Sequence, residues 1–214
     1  MLGSLIFTFM RNIITTTFLT LDGVYQAPGA SEEDTSSGFQ YGGWQYGKFQ
    51  DDVTGKIMQS WFTQPFELLL GRVTYDIFAA YWPTAKDDGL VAVPFNATKK
   101  YVVSHDPNIK ASWNNSTVIS GDVVAELQKL KAMDGPDLWV WGSGNLIQTL
   151  LKANLIDRMH LWTHPVTIGS GKRLFADGTQ PATWKLVDSK ISPMGVILAS
   201  YEPAGELKTG TVGK

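Results

Sequence analysis

Short β-rich apolar runs alternate along this chain with stretches whose apolar residues recur every three to four positions, the mark of an α/β protein rather than an all-β one. Residues 11–21 are dense in β-branched side chains and predict a first strand, closed by the turn signal Asp22-Gly23. A helix is expected over 51–61, with Val53, Ile57, Met58 and Trp61 near one face. The all-apolar run 66–70 predicts a strand buried on both sides, followed by a helix over 72–81 that Trp82-Pro83 stops. Strands over 100–104 and 117–120, a helix over 122–133 broken by Gly135-Pro136, a strand over 137–141 and a helix over 145–153 continue the alternation. Then the pattern changes. A strand over 156–166 precedes two runs, 184–190 and 196–202, that read as a hairpin across Ser192-Pro193-Met194-Gly195. A mostly parallel sheet with an antiparallel C-terminal edge follows from this order.

Between the first strand and first helix lies a long Gly-, Ser- and aromatic-rich stretch, residues 23–50. Loops of that length inside a domain are uncommon and usually functional. Its end, Tyr41-Gly42-Gly43-Trp44-Gln45-Tyr46, suits a wall over a flat ligand; aromatics packed on the body of the protein are the equal alternative. Residues 1–10 are apolar but lack a basic start and a small-residue cleavage site, and they fall far short of the ~20 residues of a membrane span. They read as an extension before a domain over 11–202, with 203–214 as a polar tail.

Composition narrows the function classes. The 214 residues are 43% hydrophobic and 18% charged, enough for one core, and a net charge of −2 gives no electrostatic case for nucleic acid or an anionic membrane surface. There is no cysteine, which removes disulfides, thiolate metal sites and thiol catalysis and fits a cytoplasmic setting. Three Asn-x-Ser/Thr sequons, beginning at Asn96, Asn114 and Asn115, matter only in a secreted chain. His160 and His164 share a strand face but would stand about 13 Å apart, too far to chelate one ion, so no metal is expected. No nucleophile elbow, phosphate-binding P-loop or zinc-deaminase signature is present.

The candidate chemistry lies in a strand–glycine–helix corner that occurs twice, as Leu70-Gly71-Arg72-Val73-Thr74 and as Trp141-Gly142-Ser143-Gly144-Asn145-Leu146. Glycine there admits a ligand close to the backbone, and the helix N-terminus behind it offers unpaired amides and partial positive charge. Two such corners on neighbouring strands could grip a dinucleotide's pyrophosphate; a lone Gly-Ser-Gly is as often a tight turn. Among the acids, Asp22 is either a proton donor or a turn former, and Asp51 and Asp52 are either donors or helix caps. Tyr25, Gln26 and Trp44 are the candidates for a substrate pocket.

Several of these motifs together resemble the dihydrofolate reductase-like superfamily. The Gly71-Arg72-Val73-Thr74 corner and the second glycine turn are similar to that family's, while Thr20-Leu21-Asp22-Gly23 and His164-Pro165-Val166-Thr167-Ile168-Gly169-Ser170-Gly171-Lys172-Arg173-Leu174-Phe175 resemble its bacterial riboflavin-biosynthesis reductase branch. The resemblance implies a three-layer α/β fold with an eight-stranded sheet, and NADPH, with NADH as the alternative, across the strand ends. Gly71, Arg72, Val73 and Thr74 would hold the pyrophosphate, Gly142, Ser143, Gly144, Asn145 and Leu146 would wrap its other side, and Val103, Ser104 and His105 would lie near the adenosine ribose. His105 stands where the family often has arginine, which leaves the NADPH-over-NADH preference open. Arg158-Met159-His160 is a second departure, where the branch usually carries an acid. The implied activity is hydride transfer to a small heterocycle in a cytoplasmic homodimer. The alternatives are a binding module of the same fold that turns nothing over, and a structural protein whose site is plugged by residues 38–46.

Overall fold

A computed structural model describes residues 10–47, 51–86 and 89–213. Most of the expected N-terminal extension, and the loop end at 48–50, lie outside the described residues. The strands are β1 (Ile13–Thr20), β2 (Phe66–Gly71), β3 (Lys100–Val103), β4 (Ser116–Ile119), β5 (Asp137–Trp141), β6 (Arg158–His164), β7 (Trp184–Ile191) and β8 (Ile197–Pro203). The helices are α1 (Asp52–Trp61), α2 (Arg72–Tyr81), α3 (Ala92–Ala97), α4 (Val123–Ala132) and α5 (Gly144–Lys152). The strands form one sheet in the order β4-β3-β2-β5-β1-β6-β8-β7. Neighbours from β4 to β6 run parallel, and β8 and β7 pair antiparallel at the end.

Both faces are covered, which is why the central strands read as continuous apolar runs. On one face, Ile13, Leu19, Leu69, Leu138 and Val140 meet Leu127 and Leu130 of α4 and Ile147 and Leu150 of α5. On the other, Ile14, Leu68, Leu70, Trp139 and Trp141 meet Tyr75 of α2, Phe95 of α3 and the half-buried Met58 and Trp61 of α1. In β1 three consecutive threonines, Thr15, Thr16 and Thr17, are buried with hydroxyls that have no partner among the described residues. β-branching, rather than polarity, explains their place in a central strand.

The sequence pattern places nothing at 92–97, yet α3 is there. Six residues are too few for a periodic signal, and Pro94 is tolerated because it falls in the first turn. Phe95, fully buried, anchors the piece. α3 also explains an odd burial. Lys100 opens β3 with no exposed surface, its Nζ donating to the carbonyls of Asn96 (3.1 Å) and Thr98 (2.7 Å) and lying 4.4 Å from the centre of the Trp113 ring. No helix among the described residues is long and apolar enough to cross a membrane.

Burial lowers the Lys100 pKa to about 8. Between that value and the ordinary 10.5 the unfolded chain binds the extra proton, so this lysine's contribution to stability rises with pH across the window. The free energy of unfolding of the parent minus that of Lys100→Met is therefore expected to increase from pH 8 to pH 10.5 in urea titrations; a flat or falling difference would mean the ammonium is well solvated.

Candidate functional site

The two glycine corners touch. β2 pairs with β5, so the residues that follow each strand emerge side by side at the carboxyl rim of the sheet. The Gly71 amide donates to Ser143 Oγ (3.0 Å), the Ser143 amide donates to Thr74 Oγ1 (3.1 Å), and Ser143 Oγ donates to the Trp141 carbonyl (3.1 Å). Because α2 leaves β2 toward one face and α5 leaves β5 toward the other, the corners open a crevice at a topological switch point, where α/β sheets bind ligands. Neither helix N-cap, Gly71 or Ser143, supplies a side-chain cap, which leaves first-turn amides free for an anion.

The remaining cofactor candidates divide. Arg72 starts α2 with its side chain 39% exposed, and its Nε donates to Asp76 Oδ2 (2.6 Å). Its two terminal nitrogens have no partner among the described residues and could meet a phosphate. Val73, beside it, is 63% exposed. Val103 pairs with Gly71 in register and so flanks the crevice. Ser104 is buried, accepting from the Asp106 amide, while His105 is exposed just past the strand. Asn145 is exposed, but Leu146 spends its side chain in the core and has only its backbone to offer. Gly144 is explained by a protein contact: a Cβ there would stand 2.1 Å from the Tyr25 hydroxyl. The half-buried phenol of Tyr25 lies across the start of α5, and burial, then the nearby Asp34 carboxylate, raise its pKa.

The carboxylates have structural partners. Asp22 accepts from Thr20 Oγ1 (2.6 Å) and from the amides of Ile168 (3.2 Å) and Gly169 (2.7 Å). The Thr20 hydroxyl bond, with those amides, outweighs burial and lowers its pKa to about 2. Asp51 is the N-cap of α1 in a capping box with Thr54. Burial pushes its pKa up, but hydrogen bonds led by the Thr54 amide outweigh that and hold it low. Asp52 is exposed in the first turn. Among the described residues, none of the three bonds to either corner.

Two of the pocket candidates are absorbed by the loop. Gln26, 1% exposed, donates to the carbonyls of Asp34 and Ser36 and accepts from the Lys172 amide. Trp44 donates from its indole to the Gln26 carbonyl (2.8 Å) and sets its ring edge-on to His164 (5.3 Å). Val24, Ala27 and Phe39 form a small core beneath. His164 is closed in by Gln45 at one ring nitrogen and the Trp162 carbonyl at the other, both at 3.0 Å. Sequence reasoning missed the aromatic layer of Trp61, Trp139, Trp141, Trp162 and His160. Its signal was the alternation of Trp139 with Trp141 and of His160 with Trp162, which puts each pair on one strand face.

Solved structures share this architecture. A Shewanella sp. PV-4 protein named for riboflavin biosynthesis superposes with a TM-score of 0.62 at 18% identity, over 90% of this chain and 99% of that one. Dihydrofolate reductase from Enterococcus faecalis, complexed with NADP(H) and RAB-propyl, gives 0.56 at 14% identity over 92% and 98%. The fold is thus dihydrofolate reductase-like. Residues 11–198 match the RibD C-terminal domain, and the chain belongs to that family. It is also 32% identical over 137 residues to the uncharacterized protein YyaP of Bacillus subtilis (strain 168), covering 63% of this chain and 72% of that protein.

Gly144→Ala is expected to cost about 1–3 kcal/mol in urea unfolding, the usual effect of overpacking. In a Tyr25→Ala background most of that cost should vanish, because the two positions are in contact. Equal costs in the two backgrounds would detach the glycine from Tyr25.

Proposed function

We propose that this chain is an NAD(P)H-dependent reductase that transfers hydride to a small heterocyclic acceptor of the pterin or pyrimidine kind. The observation that carries the reading is the joined pair of corners, with two uncapped helix N-termini and Arg72 around one crevice. That donor set fits a pyrophosphate: amides of the α2 and α5 first turns on either side, and the free end of the Arg72 guanidinium. Val103, Ser104 and His105 extend the rim toward the adenosine end. Bound there, a nicotinamide cofactor supplies the hydride; the protein's part is placement and exclusion of water. Tyr25 forms the wall over the α5 corner. With Asp22 and Asp51 held ionised near neutrality, neither is a proton store, and the proton for the reduced acceptor comes either from water or from Asp52, the remaining candidate acid.

The same ionised carboxylates favour a second reading, a nucleotide-binding module that is catalytically silent. In either case we place the protein in the cytoplasm as a homodimer. Leu186, Ile191 and Ile197, 44–72% exposed on the β7–β8 hairpin, supply apolar surface for a second copy.

Titration of NADPH and NADH, followed by tryptophan fluorescence, tests the reading. Arg72→Ala is expected to weaken NADPH by about 10–100-fold, the loss of a charge-assisted hydrogen bond. His105→Arg should raise the preference for NADPH over NADH, since arginine forks onto a 2′-phosphate. If neither cofactor binds at millimolar concentration, both readings fail. If NADPH binds but no pterin or pyrimidine oxidises it, the silent module stands and the reductase does not.

A further inference from the structure

On the far side of α1 from the crevice lies a groove of ≈ 310 Å³ between that helix and the antiparallel end of the sheet. Its walls come from Ile57 and Trp61 of α1, His160 and Trp162 of β6, Leu198 and Ser200 of β8, and Asp188 and Lys190 of β7. The volume is at the small end of ligand sites, and the groove combines aromatic side chains with a lining that is more polar than apolar.

The polar groups are in register. His160 pairs with Ser200 across β6 and β8, and Asp188 pairs with Ser200 across β7 and β8, so the three side chains stand in one row on one face. His160 is 8% exposed; Nδ1 bonds Ser200 Oγ at 2.7 Å, while Nε2 has no partner among the described residues. Trp61 stacks on the imidazole at 4.9 Å between centroids and 26° between planes, continuing the flat wall. The imidazole belongs to a largely buried residue that lines the groove, and its Nε2 is left to bond whatever occupies that space. Burial, with help from the neighbouring Arg158 charge, lowers the His160 pKa to about 4, so near neutrality the imidazole presents one donor and one acceptor and no charge. At the rim, Asp188 and Lys190 oppose each other in sign, and Arg158 is paired with Glu202 (2.5 Å), so nothing there selects a charged ligand.

We propose that this groove is a second small-molecule site, which takes an uncharged, planar nitrogen heterocycle of one or two rings, its face against Trp61 and a ring nitrogen bonded to His160 Nε2. Ser200 is the positioning residue that fixes the imidazole through Nδ1. The site is independent of the reductase reading, because β1 and α1 separate it from the glycine corners.

The test uses benzimidazole as probe and indene as its nitrogen-free counterpart, with ¹⁵N-labelled full-length protein and long-range ¹H–¹⁵N correlation of the histidine rings. The His160 nitrogens should shift saturably with benzimidazole and not with indene. Ser200→Ala should weaken binding about threefold or more, and His160→Gln about tenfold, as loss of a buried hydrogen bond requires. NADPH titration should be unchanged in both variants. Should His160→Gln fail to fold, the milder Ser200→Ala decides. Absence of a saturable shift, equal shifts with indene, or unchanged affinity in Ser200→Ala would overturn the proposal. Competitive displacement of benzimidazole by NADPH would also overturn it, since the probe would then sit in the crevice.

Discussion

The amide of Gly71 and the hydroxyl of Ser143, 72 residues apart in the chain, are joined by one hydrogen bond, and the geometry of the crevice follows from that junction. It needs a residue at the start of α5 whose hydroxyl accepts from Gly71 while its own amide donates to Thr74, both in the corner after β2. Ser143 does both, and to do so it adopts a left-handed backbone (φ 58°, ψ 46°) directly after Gly142 (φ 53°). A left-handed non-glycine residue costs about 1–3 kcal/mol and persists only where the surroundings enforce it. Three hydrogen bonds, to Gly71, Thr74 and Trp141, enforce it here. Thr74 and Ser143 therefore lock the two helix ends to each other, and their hydroxyls are spent on that junction.

The elements that form this site were legible because they are local. The run 66–70 and the run 137–141 are apolar throughout and each ends at glycine, so strand, corner and helix could be read directly. That the corners adjoin was not a property of either segment. It depends on β5 inserting between β2 and β1, a pairing of strands far apart in sequence, and only the family resemblance pointed to it. Gln26 shows a different limit. A glutamine in a loop reads as polar surface, yet here its amide closes the loop from inside, bonding Asp34, Ser36 and Lys172. Sequence alone does not separate a polar group that faces a ligand from one that replaces backbone pairing. Asp51 was decidable in principle, since a cap three residues before threonine at a helix start is a local signal, and the side chain does cap.

The aromatic layer lies between the crevice and the groove. Trp61 contacts Trp139 and Trp141 of β5 and His160 and Trp162 of β6, so the end of α1 is held against two strands at once. Each such ring covers some 150–250 Å² and strongly fixes its neighbours. A helix anchored this way is a partition rather than a lid. The crevice at the β2–β5 rim and the groove beside β7 can then differ in chemistry, the first open to anions and the second lined by a neutral imidazole.

Asp22 bears on the crevice without reaching it. Its ionised carboxylate gathers the Ile168 and Gly169 amides, which ties the segment after β6 to the end of β1. That segment in turn pairs with the chain just beyond Asp22: Val24 bridges Arg173, and the Tyr25 amide donates to the Lys172 carbonyl (2.9 Å). Tyr25 is thereby held with its phenol on Gly144, at the mouth of the α5 corner. Neutralising the carboxylate would weaken those charge-assisted bonds and loosen the tyrosine before it touched any reacting atom. An effect of Asp22 is therefore expected through the shape of the crevice, and the hydrogen bonds that hold its pKa low argue against a proton-transfer role.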